Sequence, residues 1–334
     1  YGVKHSLAVT SCTTALHLAL AAAGIKEGDE VIVPSFSWVS TANAVEYCGG
    51  TPVLIDVDPV TYNIDPSQIK SKLSKKTRAI VPVHLFGLCA DMDAVKQEVP
   101  QDIFVLEDAA CAAGAQYKGA WAGTLGDAAC FSFHPRKSIT TGEGGMVSTN
   151  DTGLFDKMAT LRNHGASPSE AMRKYGAKPY MFADFDVVGY NYRMTDIQAA
   201  MGIVQLKKLD AFIEERAKWA QWYARELSDL KWLRCPTMDK NGRHAWQAFV
   251  TFVDPATAPM ARDAMMDKLQ EMGVATRPGT QAIHMLGYYK NKYGLKESDL
   301  PGAQACYLNT MALPLHNKMT EEDYAYVVHC LRSL

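Results

Sequence analysis

The chain has 334 residues, 48% of them apolar and 21% charged, with a formal net charge of −2. That length can bury one large core or a large and a small one, so two domains are expected. The near-neutral balance, with no block of Lys and Arg interleaved with aromatics, argues against nucleic acid or an anionic membrane as a partner. Eight cysteines are scattered at 12, 48, 89, 111, 130, 235, 306 and 330 without a C-x-x-C pair, so zinc and dithiol sites lack their ligand spacing and no metal is expected. Cys48, Cys111 and Cys130 lie in apolar surroundings and read as small buried hydrophobes. No signal-peptide pattern opens the chain and no apolar run is long enough to span a bilayer. A reduced, cytoplasmic protein is the expectation.

The first half alternates two kinds of segment. Short β-rich runs fall at Ser6–Val9, Val31–Val33, Pro52–Val57, Ala79–Val83, Ile103–Leu106, Ala129–Phe133 and Gly145–Ser148. Helical patterns lie between them at Thr13–Ala23, Val39–Tyr47, Pro66–Leu73, Met92–Glu98 and Gly153–Arg162. Near-continuous apolar strands separated by helices predict an α/β domain with a mostly parallel sheet covered on both faces. Such sheets bind ligands at the carboxyl ends of their strands. From about Thr195 to Asp229 a long helical stretch is expected, because Ile197, Met201, Val204, Leu206, Leu209, Phe212 and Ile213 recur at helical spacing. Cys235-Pro236 and Asn241-Gly242 then punctuate the chain. Beyond them a strand is read at Ala248–Val253, a helix at Ala261–Gly273, a loop at Arg277–Thr280 and a closing helix at Glu321–Leu334. The expected division is a large α/β domain over 1–208 and a smaller α+β domain over 209–334.

Three segments carry chemistry. In Thr10-Ser11-Cys12-Thr13-Thr14 a strand gives way to a helix through small hydroxylated residues. Such a turn is either an ordinary helix cap or a phosphate seat, since free N–H groups and the positive end of the helix dipole lie there. In Phe104-Val105-Leu106-Glu107-Asp108 an acidic pair ends an apolar strand, where a carboxylate either caps the next helix or keeps a pyridine nitrogen protonated. In Ser132-Phe133-His134-Pro135-Arg136-Lys137, followed by Gly142-Glu143-Gly144-Gly145, a lysine sits between a strand and a glycine-rich loop. A free lysine titrates near ~10.4 and must lose its proton to attack a carbonyl. Burial and the neighbouring Arg136 are expected to lower it. No glycine fingerprint of a dinucleotide or P-loop site follows an early strand.

Taken in order, these segments resemble the DegT/DnrJ/StrS family of pyridoxal-phosphate-dependent sugar aminotransferases of fold type I. Gly28-Asp29-Glu30-Val31-Ile32-Val33-Pro34-Ser35, Pro82-Val83-His84-Leu85-Phe86-Gly87 and Gly189-Tyr190-Asn191-Tyr192-Arg193-Met194 extend the likeness over essentially the whole chain. Typical members carry a few dozen further N-terminal residues. The resemblance implies pyridoxal 5'-phosphate as cofactor, alternating with its pyridoxamine form. It assigns Lys137 the Schiff base and the later proton transfer, and Asp108 the pyridinium nitrogen. Trp38 is implied on the ring face, with Cys12, Thr13 and Ser132 at the phosphate. Asn191 is implied to reach the phosphate of a neighbouring subunit, so a homodimer with shared active sites is expected. Arg193, Arg277 and His284 are candidates for substrate contacts.

Two residues depart from the family pattern. Cys111 stands where members carry Gln or His beside the ring, and a thiol is a poorer hydrogen-bond partner. Cys12 replaces a glycine, which matters little if its φ stays negative. Lys137 itself separates the chain from related sugar dehydratases, which have His there. The implied reaction moves an amino group from glutamate to a nucleotide-linked keto-sugar, with a 4-keto-6-deoxyhexose favoured, for an amino sugar of a surface polysaccharide (lipopolysaccharide among them) or glycoconjugate. A keto-cyclitol aminotransferase of antibiotic biosynthesis and a cofactor-free regulatory or scaffold relative are the alternatives.

Overall fold

The computed structural model describes residues 1–168, 170–237 and 242–334. Asn241 of the expected Asn-Gly punctuation lies outside the described residues. In chain order the first half comprises β1 (His5–Val9), α1 (Cys12–Ala23), β2 (Glu30–Pro34), β3 (Phe36–Ser37), α2 (Ser40–Tyr47), β4 (Thr51–Ile55), α3 (Ile69–Lys72), β5 (Thr77–Ile80), α4 (Met92–Glu98) and β6 (Phe104–Asp108). A small hairpin of β7 (Gln116–Tyr117) and β8 (Ala120–Trp121) follows, then β9 (Ala128–Ser132), β10 (Gly145–Thr149) and α5 (Thr152–Arg162). The helix expected from Pro66 opens instead as a 3-10 turn at Pro66–Gln68 before α3.

Seven strands form one sheet in the order β1-β10-β9-β6-β5-β2-β4. The pairs from β9 to β4 are parallel and β10 alone runs against its neighbours, so the sheet is mostly parallel, as the fold class requires. Alternate side chains serve opposite faces. In β2, Val31 and Val33 join the core on one side of the sheet while Ile32 joins the core on the other. Both faces are buried, which is why these strands read as continuous apolar runs. Ser11 caps α1 through a capping box with Thr14, and Gly24 ends it at φ 91°, a left-handed turn that a residue with a Cβ resists.

Past α5 lie a short ladder of β11 (Ala166–Ser167) with β12 (Asp184–Phe185), and between them α6 (Glu170–Tyr175). The helical stretch expected over Thr195–Asp229 consists of two helices, α7 (Asp196–Leu206) and α8 (Leu209–Glu226). Lys208, at φ −99° and ψ −9°, separates them. Their apolar stripes face different things. Leu209 and Ile213 are buried in the large core, whereas Ile197, Met201, Val204 and Leu206 are exposed, Ile197 to 82%. Helical periodicity reports an apolar face without saying what covers it.

The rest of the chain builds β13 (Leu233–Arg234), β14 (Phe249–Val253), α9 (Arg262–Glu271), β15 (Arg277–Pro278), β16 (Gln281–Ala282), α10 (Gly287–Tyr293), α11 (Pro301–Asn309), β17 (Thr310–Leu313) and α12 (Glu321–Arg332). A second sheet runs β13-β14-β17-β15, all antiparallel, over a core of Trp219, Tyr223, Phe249, Met311 and Tyr324. The stretch read as a loop from Arg277 therefore begins as an edge strand, with Arg277 opposite Ala312. The chain then returns to the large core: β16 pairs with β3, and Ile283, Tyr289, Leu300, Ala303 and Cys306 bury there. We propose residues 208 and 209 as the domain division, with this returning segment as the tie between the two.

Candidate active site

The first structural fact about the site is where β6 and β9 end. They are adjacent and parallel, with Asp108 opposite Cys130, so the residues following both strands emerge at one edge of the sheet. Lys137 follows β9 by five residues and is half-buried. Its Nζ donates to Cys111 Sγ at 3.1 Å, on the turn that follows β6. Burial pulls the Lys137 ammonium down, but the Cys111 sulfur, with Cys12 and Asp108, outweighs it and holds the group above its ordinary value. The expected lowering by Arg136 does not occur: that side chain is exposed and turns to Trp38.

Asp108 is buried at the strand end. Its Oδ2 accepts from Thr41 Oγ1 at 2.8 Å and its Oδ1 from the Ala110 amide at 3.1 Å. Burial raises its carboxyl above the usual range despite these two donors and the nearby Lys137 and His84. The other half of the acidic pair faces the opposite side of β6, as consecutive strand residues must. Glu107 is fully buried and accepts from His84 Nε2 at 2.9 Å and from the amides of Gly123, Leu125 and Gly126 at 2.7–2.8 Å. His84 Nδ1 accepts from the Ala90 amide, so Nε2 carries the hydrogen that Glu107 receives. The His84 backbone amide donates to the Asp108 carbonyl, and the Asp108 amide to Pro82. Glu107 and His84 thus brace the strand end that presents Asp108. Their joint role was missed in the sequence, although strand alternation already says that only one of two successive acids can face the ligand edge.

At the start of α1 the amides of Cys12 and Thr13 make no hydrogen bond with any described residue, while Thr14 N is capped by Ser11 Oγ. Cys12 keeps a negative φ. Behind this turn stands Gly145, where a Cβ would lie 2.5 Å from Ser11 C and 2.7 Å from Cys12 N. Thr13 Oγ1 donates to Ser40 Oγ at 2.9 Å. Ser132 Oγ, nearly buried, accepts from the His134 amide at 3.3 Å. Trp38 precedes α2, three residues before Thr41, and is 52% exposed. Cys111 is not the inert buried thiol expected from its apolar neighbours, since it is half-buried and holds Lys137.

Of the remaining candidates, Asn191 and Arg193 lie beside the turn that opens α1, with Arg193 bridged to Val9 and the Tyr192 carbonyl accepting from the Thr10 amide, while Arg277 and His284 come from the last third of the chain. Asn191 is exposed, in a segment whose backbone bridges to Asn163, and Arg193 donates to Asn163 Oδ1 at 2.6 Å. Arg277 is exposed on β15. His284 is fully buried, and both ring nitrogens are taken, Nδ1 by Ser35 Oγ at 2.7 Å and Nε2 by the Glu297 carbonyl at 3.0 Å. It cannot meet a substrate there; it braces the turn after β2, correcting the sequence expectation.

The donor set suits a flat ring with a basic nitrogen and a phosphate. A buried carboxyl suits a cationic N–H, the amides at a helix N-terminus suit an anion, and the Lys137 amine, held by Cys111, emerges at the same sheet edge. The family model of the DegT/DnrJ/EryC1/StrS aminotransferases matches residues 1–332. The chain belongs to that family. It is 41% identical over 332 residues to GDP-perosamine synthase of Caulobacter vibrioides, covering 99% of this chain and 85% of that protein. Over 335 residues it is 39% identical to the spore coat polysaccharide biosynthesis protein SpsC of Bacillus subtilis, covering 100% and 86%. Among solved structures, the PLP form of Spr1654 from Streptococcus pneumoniae superposes with a TM-score of 0.90 at 25% identity, covering 99% of this chain and 87% of that one, and its PMP form is also known. This aminotransferase is therefore a pyridoxal-phosphate-dependent sugar aminotransferase of fold type I. No helix among its described residues is long and apolar enough to cross a membrane.

Proposed function

We propose that this aminotransferase moves an amino group from glutamate to a nucleotide-linked keto-sugar, a 4-keto-6-deoxyhexose, in the cytoplasm, for an amino sugar of a surface polysaccharide or glycoconjugate. The observation that carries this reading is the convergence of Lys137 and Asp108 at one sheet edge, with the free amides of α1. The 41% identity to a protein named GDP-perosamine synthase supports the nucleotide-linked sugar.

Bound pyridoxal phosphate supplies an electron sink for the carbon that exchanges its amino group. In this reading Lys137 holds the cofactor covalently and afterwards, as a free amine, carries a proton at its Nζ to and from the substrate carbon. Asp108, steadied by Thr41, keeps the ring nitrogen protonated. The Cys12 and Thr13 amides, the Thr13 hydroxyl and Ser132 receive the phosphate; Trp38 lies on the ring face, and Cys111 flanks it. Arg193 and Arg277 remain candidates for substrate contacts. Asn191 completes a neighbouring subunit's site in a homodimer. The exposed apolar side chains of α7, together with Phe182, Phe185, Val187 and Val188, support such an interface, because large exposed apolar patches mark association surfaces.

The test offers purified enzyme glutamate, then either nucleotide-linked keto-sugars or free cyclitol ketones. Glutamate should bleach the cofactor's visible absorbance, and a nucleotide-linked keto-sugar should restore it. Borohydride should fix the cofactor to wild-type protein and not to Lys137→Ala. Fixation at full yield in that variant refutes the lysine's role, and restoration by cyclitols alone refutes the substrate.

A further inference from the structure

Between the site's strand end and Lys137, Arg136 carries an exposed cationic side chain. Its backbone is pinned on both sides: the amide donates to His134 Nδ1 at 3.1 Å, and the carbonyl accepts from Gln247 Nε2 at 3.0 Å. The guanidinium makes no ion pair or hydrogen bond with any described residue, and the acid nearest this loop, Glu143, faces His134 instead. It lies 5.9 Å from the Trp38 ring centroid, within cation–π range, on a ring that is itself half exposed. Stacking of this kind holds a guanidinium in place while leaving its edge donors free for an anion.

We propose that Arg136, steadied on Trp38, is an anion seat at the rim of the active site that takes the diphosphate of the nucleotide-linked substrate. The inference rests on the substrate reading above and extends it to a residue. Depth decides between the anions that reaction would bring. Lys137 points inward to Cys111, whereas Arg136 is exposed. An amino donor's α-carboxylate is bonded to the reacting carbon, so it must sit at the depth of Lys137. A sugar diphosphate is separated from the reacting carbon by much of the sugar ring and so lies further out, where Arg136 stands. Guanidinium also matches phosphate oxygens with two parallel N–H donors, which ammonium cannot do.

The experiment measures binding of guanosine and uridine diphosphate to the cofactor-loaded enzyme by calorimetry, for wild type, Arg136→Ala and Arg136→Lys. Loss of a charge-assisted contact should weaken binding about ten- to a hundredfold in the alanine variant, with the lysine variant between. Wild-type affinity should fall more steeply with salt than that of Arg136→Ala. The same samples are scored for borohydride fixation and for bleaching by glutamate, which should match wild type. Unchanged nucleotide affinity in Arg136→Ala overturns the seat while fixation and bleaching leave the transaminase reading standing. A selective rise in the glutamate concentration needed for bleaching would assign the cation to the donor's carboxylate and overturn it equally. Loss of fixation in wild type would instead defeat the parent reading.

Discussion

Glu107→Gln tests how Asp108 is held. The carboxylate receives four hydrogen bonds, from His84 Nε2 and Gly123 N at Oε2 and from Leu125 N and Gly126 N at Oε1. An amide can accept at one oxygen, so two of these donors lose their partner and two new N–H groups are added among donors. Stranding a buried donor costs about 1–3 kcal/mol, so stranding two costs about 2–6 kcal/mol. A loss of about 2–6 kcal/mol is expected, read as a lower urea midpoint with an unchanged slope. Burial pushes the Glu107 carboxyl up, but His84 and the glycine amides outweigh it and leave it below its ordinary value. The stability it contributes is therefore complete above about pH 4.3, the unfolded value, and fades as pH falls through the folded one. A loss below about 1 kcal/mol, or a pH profile through the acid range identical to that of wild type, would refute the brace.

The other predictions concern the ligand edge. Asp108→Asn should keep borohydride fixation but slow bleaching by glutamate at least about a hundredfold, the scale of one lost charge-stabilising contact, in stopped-flow absorbance. Gly145→Ala should force the Ser11–Cys12 turn outward; overpacking of this kind costs about 1–3 kcal/mol, and equilibrium dialysis should show weaker cofactor binding. Cys111→Ala should lower the Lys137 pKa, because the leading group that holds the ammonium up is removed while burial remains, so the pH midpoint of cofactor capture moves down. The stability linked to Lys137 is present below about pH 10.4 and lost as pH rises through the folded value, and Cys111→Ala should shrink that loss in alkaline melting curves. If sites are shared in a homodimer as proposed, mixing Lys137→Ala chains with Asn191→Ala chains should give more activity than either alone, since a hybrid dimer would have one site with both residues intact.

What the sequence made legible follows from what each signal reports. Doubly buried strands such as β2 and β9 are continuous apolar runs, and nothing but a covered parallel sheet explains them between helices. The edge where Asp108 and Lys137 emerge follows from their positions just after such strands. The two-residue strands β3, β15 and β16 were not legible, since each is fixed by a partner far away in sequence, as Ser37 is by Gln281. The break between α7 and α8 was hidden because Lys207 and Lys208 are good helix formers; what interrupts them is that α8 turns Leu209 and Ile213 into the core while α7 stays outside it. Thr41 carries no local sign of its bond to Asp108, for it is one of three hydroxyl residues around the start of α2. His284 was a substrate candidate by family resemblance, and its engagement with Ser35 and Glu297, both distant in sequence or set by the fold, carried no local sign.

The two central groups deviate from ordinary titration in the same upward direction for opposite reasons. At Asp108 burial wins over its donors, so the carboxyl favours its neutral form. At Lys137 the surrounding sulfur and carboxyl groups win over burial, so the amine favours its charged form. Both shifts retain protons, and the start of α1 adds the positive end of a helix dipole with two unsatisfied amides. The helix dipole and the amides at the start of α1 suit a phosphate dianion, and Asp108, raised by burial, ionises more readily beside a cationic N–H. A ring that brings both a phosphate and a protonatable nitrogen answers both at once: its anion meets α1, and its N–H lets Asp108 ionise at a depth where no solvent could stabilise it. In the proposed arrangement burial would make the aspartate selective for a protonated ring, because it makes other routes to ionisation costly.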